Sequence, residues 1–197
     1  MAVTPAGTPY VETSDLLANY PGVSLALANH IDENVGGLVQ IVTQSFTAQG
    51  TVIFNNCFTS TYSHYKIMLD TVSSVANGIN IRMRVGGADS SAASYSNTST
   101  TSSDDGGPNR GTSATQTLWS LLLANRTSHW AFIEMFNPQR ALSTQLSAMT
   151  GSSSAANPST SSSSNFFNAA TVFDGLSFIT TTGTITGTVR IYGYRNS

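Results

Sequence analysis

From residue 38 onward, apolar and polar positions alternate with a period of two. The spacing predicts strands over 38–46, 51–58, 65–72, 79–86, 115–123, 129–136, 142–150, 171–180 and 184–194. The clearest run sets Ile79, Ile81, Met83 and Val85 against Asn80, Arg82 and Arg84. That pattern turns one face of a strand to a core and the other to water or to a neighbouring subunit. The last run repeats it, with Ile185, Val189 and Ile191 inward and Arg190, Tyr192 and Tyr194 outward. Turn chemistry separates the runs at Gln49-Gly50, Asn77-Gly78, Asn137-Pro138 and Gly183. Short strands, turn signals and no helical period between them predict a mainly β domain over residues 38–197, an antiparallel sandwich of jelly-roll type.

The pattern ahead of residue 38 is different. Residues 1–8 read as extended, and from Pro9 to Gly37 the chain reads as two short apolar helical turns. Thr13 or Ser14 caps the first, which runs through Leu16 and Leu17 to Tyr20 and ends at Pro21. Ser24 caps the second, with Leu27 and Ile31 on one face and Leu25 and Ala28 beside them. Gly36-Gly37 breaks it and supplies a hinge. Isolated helices shorter than about 12–15 residues are marginal in water, so this piece needs a surface to lie on. Residues 1–37 therefore read as a docking segment, with Tyr10, Leu16, Leu17, Tyr20, Val23, Leu25, Leu27 and Ile31 as its contact residues. The surface they meet is the body of the chain, a symmetry mate or a larger assembly.

Composition sharpens this reading. Charged residues make up 9% of the chain, against roughly 25% in a typical soluble domain, while Ser and Thr fill more than a quarter of the positions. Hydroxyls and amides must therefore solvate the surface. Lys66 is the sole lysine, and the net charge is -2. Binding of nucleic acid or of an anionic membrane needs clustered cations, so neither is expected as a partner. The start of the chain shows no secretory leader pattern, and the apolar stretches fall short of the ~20 residues that span a bilayer. The expectation is a soluble protein made in a cytoplasm. Two Ser/Thr-rich tracts, residues 86–115 and 150–164, offer no apolar face and read as long loops, equally suited to a functional rim and to a plain surface insertion.

Catalytic chemistry is sparse. Cys57, the sole cysteine, lies in an apolar run and reads as a small buried hydrophobe. His30, His64 and His129 have no partners at metal-ligand spacing, and Asp104-Asp105-Gly106-Gly107 lacks the alternating oxygens of a calcium loop. Asp70, Glu134 and Asp174 are the acids on predicted strands, and Glu134 is expected to pair with an arginine such as Arg140. Asn97-Thr98-Ser99 and Asn125-Arg126-Thr127 match glycosylation sequons of a kind that arises freely in such sequence. No catalytic residue, cofactor or metal is called for, and the chain does not read as an enzyme. The better lead is aromatic: Tyr95, Phe166, Phe167, Tyr192 and Tyr194 are candidates for subunit or receptor contact. A subunit interface ranks first for them, plain surface second and a sugar platform third.

The segment PYVETSDLLANYPGVSLALANHIDE resembles an N-terminal segment found in structural proteins of tailed bacteriophages, where it precedes a fibre or appendage module. The blocks FNNCFTSTYSHYKIML, INIRMRVGG and WAFIEMFNP resemble the β module that follows it. The resemblance implies a virion protein assembled in the bacterial cytoplasm. It implies a homotrimer, attached to other virion proteins through residues 9–34, with its β part exposed and often adhesive. The absence of a repeat or coiled-coil shaft favours a short fibre, a baseplate or head appendage, or a decoration protein. The alternative is an adhesin that binds host glycan.

Overall fold

A computed structural model describes residues 2–3, 9–10, 24–25, 37–103, 106–154 and 158–194. The chain divides into two compact units, Met1–Gly37 and Leu38–Asn196. In the first, β1 (Ala2–Val3) pairs antiparallel with β2 (Pro9–Tyr10). Tyr10 thus lies in a strand rather than at the start of a helical turn. Ser24 and Leu25 have helical backbone, and Leu25 is exposed. The rest of the two expected helical turns, with Leu16, Leu17, Tyr20, Val23, Leu27 and Ile31, lies outside the described residues.

The second unit is mainly β and antiparallel throughout. Its strands are β3 (Leu38–Gln49), β4 (Thr51–Phe54), β5 (His64–Val85), β6 (Ala88–Asp89), β7 (Tyr95–Ser103), β8 (Gly106–Gln116), β9 (Trp119–Phe136), β10 (Ser143–Ser153), β11 (Ser159–Ala170), β12 (Gly175–Thr180) and β13 (Ile185–Tyr194). They form one hydrogen-bonded sheet of 11 strands, ordered β3-β13-β5-β9-β10-β11-β7-β8. β12 adds to β5, β4 to β12 and β6 to β5. The strands share one continuous ladder, and the reason is β5. Its first half pairs with β13 and β9, its second half with β12 and β9. The Asn77-Gly78 turn expected there is a change of register within one strand. Asn77 accepts from the Ser73 hydroxyl (2.9 Å) and donates to the Thr182 carbonyl (2.8 Å), so a turn-forming residue serves as an internal brace. Residues 119–123 and the run 129–136 likewise merge into β9, while Thr115 and Gln116 end β8.

Inward positions follow the predicted alternation. Ile67 on β5 lies between Ile133 and Ile191 in register, and all three are fully buried. Ile79, Ile81 and Met83 join them in one core cluster with Phe54, Phe178 and Leu176, whereas Val85 is exposed. Arg84, expected outward, is buried and ion-paired with Asp89 across the two-residue Gly86-Gly87 turn. Both glycines have positive φ (58° and 82°), as a hairpin turn of this length requires.

The two Ser/Thr tracts, expected as loops, are largely strands. β7, β8 and β11 come from them, and β11 alternates: Ser159, Ser163, Asn165 and Phe167 are buried while Thr160, Ser162, Ser164 and Phe166 face out. Cross-strand hydroxyl contacts replace apolar packing here, with Ser152 and Ser159 at 2.9 Å and Thr101 donating to Ser161 at 3.2 Å. A period of two written in hydroxyls alone has no hydropathy contrast, which is why it read as loop.

Candidate functional site

Tyr95 and Phe167, candidates for outside contact, belong to the core. Tyr95 is fully buried; its hydroxyl accepts from the Met83 amide (3.1 Å) and donates to the Ser90 carbonyl (3.1 Å). Its ring meets Trp119 and Phe167 edge-on at 5.1 and 4.8 Å. Phe166, Tyr192 and Tyr194 do face outward, and Phe166 is 38% exposed. The Tyr194 hydroxyl contacts both Glu134 carboxylate oxygens at 3.0 and 2.8 Å, and Lys66 closes the group at 3.3 Å from Glu134. Glu134 is therefore held by a lysine and a tyrosine instead of an arginine. Desolvation and the hydrogen bond to Glu134 raise the Tyr194 pKa above its ordinary value.

The same outer face carries residues that the sequence reading passed over. On β9, Trp130, Phe132, Glu134 and Phe136 point out, while His129, Ala131, Ile133 and Met135 point in. Phe132 is flanked in register by Met68 on β5 and by Met149 on β10. Trp130, one row along, is flanked by Asp70 and Gly151. Both aromatics are more than a third exposed, and their ring centroids are 5.5 Å apart. The signal was present in HWAFIEMF, where three of the four residues on each face are apolar; a strand of that kind has a core side and a second side with an apolar purpose. Farther along the rows, Met149, Thr100, Ser102, Thr160, Ser161 and Ser162 line a shallow depression of about 240 Å³.

The other chemistry-bearing residues are structural. Cys57 is buried, and desolvation pushes its thiol up to about 12, so it stays protonated in the fold. Asn97 donates its amide to Asn165 inside the sheet, so the sequon at 97–99 has its acceptor nitrogen engaged. Asp174 accepts from the Gly86 amide at 2.7 Å and so fixes the hairpin turn. His30, Asp104 and Asp105 lie outside the described residues.

His129 is fully buried between Thr71 and Ser152 in register, and burial lowers its pKa below the ordinary value. The folded protein takes up a proton on this ring less readily than the unfolded chain, which does so below about pH 6.5. The unfolded state then binds the extra proton, so stability falls as pH drops from 7 to 5, by at most about 1.4 kcal/mol per pH unit. His129→Gln is expected to lose less of its thermal midpoint than the wild type between these two pH values. Equal losses would remove His129 as the source.

Comparison with family models, with curated proteins and with solved structures finds no match to this chain.

Proposed function

We propose that this chain is a structural appendage protein of a tailed-phage particle, in which residues 9–34 dock on the particle and the β unit forms the outward part. The observation that carries the reading is the division at Gly37. A compact β unit with its own core begins directly after the segment whose sequence resembles a virion-docking peptide. The remaining features are consistent with a protein that works by assembly. The β unit has an outer face with clustered apolar residues, while Cys57, His129 and Arg84 are buried inside it. A sandwich-like closure of the sheet and a homotrimeric state belong to the same proposal.

The test is incorporation. A chain lacking residues 1–34 is expected to give a folded, soluble β unit that is missing from purified particles, while the full chain is present when both are followed by mass spectrometry. Truncated chain in the particles at the full-length level would overturn the docking role. Full-length chain missing from the particles would overturn the virion reading itself.

A further inference from the structure

We infer that the outer face of the β unit carries a binding platform for a neutral oligosaccharide, centred on Trp130. The inference deepens the proposal above and rests on the β unit being the part turned outward.

Two adjacent cross-strand rows compose the platform. One runs Asp70, Trp130, Gly151, Thr160, Ser102 and the other Met68, Phe132, Met149, Ser162, Thr100, over β5, β9, β10, β11 and β7. Except for half-buried Met68 and buried Gly151, all of these residues are exposed. With strands spaced about 4.8 Å apart, each row spans roughly 19 Å, the length of an extended oligosaccharide rather than of a single sugar.

The seat of Trp130 is built. A Cβ at Gly151 would overlap Cε2, Nε1 and Cζ2 of the indole, so the ring lies directly over the Gly151 backbone. One ring face is spent on that backbone and Phe132 braces the side, yet 37% of the residue remains exposed. An aromatic surface locked before the ligand arrives loses little conformational freedom on binding.

The chemistry along the rows changes in one direction, from an acid and aromatic rings to hydroxyls. A pyranose has the matching two characters: an apolar C–H face to lie on an indole, and hydroxyls to donate to Asp70 and to exchange hydrogen bonds with Thr160, Ser102, Ser162 and Thr100. A second copy of this face would satisfy the rings but would strip water from Asp70 while the rows offer no cation in return, which costs free energy. Over these five strands the rows hold one acid and no base, and the arginines in register with their ends, Arg190 beside Met68 and Arg110 beside Thr100, stand on the next strands, away from the rings.

The experiment presents the full chain to an array of neutral gluco-, galacto-, manno- and N-acetylglucosamine oligosaccharides, then titrates the strongest binder against tryptophan fluorescence. Saturable binding with a change in Trp130 emission is expected, since the only other tryptophan, Trp119, is buried. Trp130→Ala is expected to lower affinity about tenfold or more, as loss of an aromatic anchor does. Gly151→Ala, which unseats the ring without removing it, lowers affinity as well, and Val72→Ala, on the same face outside the two rows, leaves it unchanged. No saturable binding to any sugar on the array, or unchanged affinity in Trp130→Ala, overturns the platform. So does a chain that sediments as an oligomer and becomes monomeric in Trp130→Ala, because the face is then a subunit interface. Sugar binding by a chain that is missing from particles would refute the virion proposal alone.

Discussion

Asp89→Ala is expected to destabilise the β unit by about 3 kcal/mol or more, the range found when one partner of a buried ion pair is removed. Arg84 is 6% exposed, and every branch of its guanidinium is directed: Nε donates to Asn55 Oδ1 at 2.9 Å, one terminal nitrogen to Asp89 and the other to the Gly87 carbonyl. Asp89 also accepts from the Ser177 hydroxyl at 2.9 Å. Without the carboxylate, a cation stays inside the protein with neutral partners only, and the Gly86-Gly87 hairpin loses its cross-strand tie. Arg84→Met in the Asp89→Ala background removes the stranded charge and is expected to recover part of the loss. Urea denaturation checks both, the midpoint moving at constant slope. A loss below about 1 kcal/mol in Asp89→Ala would mean that Asn55 and Gly87 suffice to hold the charge.

This pair also shows where the sequence is readable. Ile79, Ile81 and Met83 could be placed inside because apolar and polar residues alternate around them, and Ile185, Val189 and Ile191 for the same reason. Arg84 broke the rule because its charge is neutralised by a residue five positions on, brought opposite by a glycine turn; hydropathy sees the cation and not the partner. β7, β8 and β11 were hidden for a different reason, since alternate hydroxyls inside and outside give no contrast. Tyr95 was misplaced with them: an aromatic in a polar tract looks exposed until the tract is recognised as a strand with an inner face. The Trp130 platform was hidden because its essential neighbour, Gly151, comes from another strand and contributes only an absent side chain. Turns at Asn137-Pro138 and Gly183 were legible because their geometry is local, with Asn137 and Gly183 both at positive φ.

The second large effect is expected at the other tryptophan. Trp119 is 1% exposed, opposes Ile81 in register, meets Tyr95 edge-on, and begins a chain of aromatic contacts through Phe167 to Phe173. Trp119→Ala empties the largest fully buried side chain and is expected to cost about 3–5 kcal/mol, which at this chain length lowers the thermal midpoint by about 6–20 °C. Part of that loss is polar, because the indole Nε1 donates to the Phe166 carbonyl at 3.2 Å and thereby ties the start of β9 to β11. Trp119→Phe keeps an aromatic edge against Tyr95 and loses the indole donor, while the Phe166 carbonyl still accepts from the Ser96 hydroxyl at 3.3 Å, so its cost is expected at about 1–2 kcal/mol. A loss in Trp119→Phe as large as in Trp119→Ala would assign the effect to the hydrogen bond instead of the packing. Trp130→Ala provides the contrast: its ring is partly exposed on the outer face and leaves no closed cavity, so its removal should cost less than Trp119→Ala, about 1–2 kcal/mol. The two tryptophans thus separate by experiment into one that holds the sheet together and one that the sheet holds out.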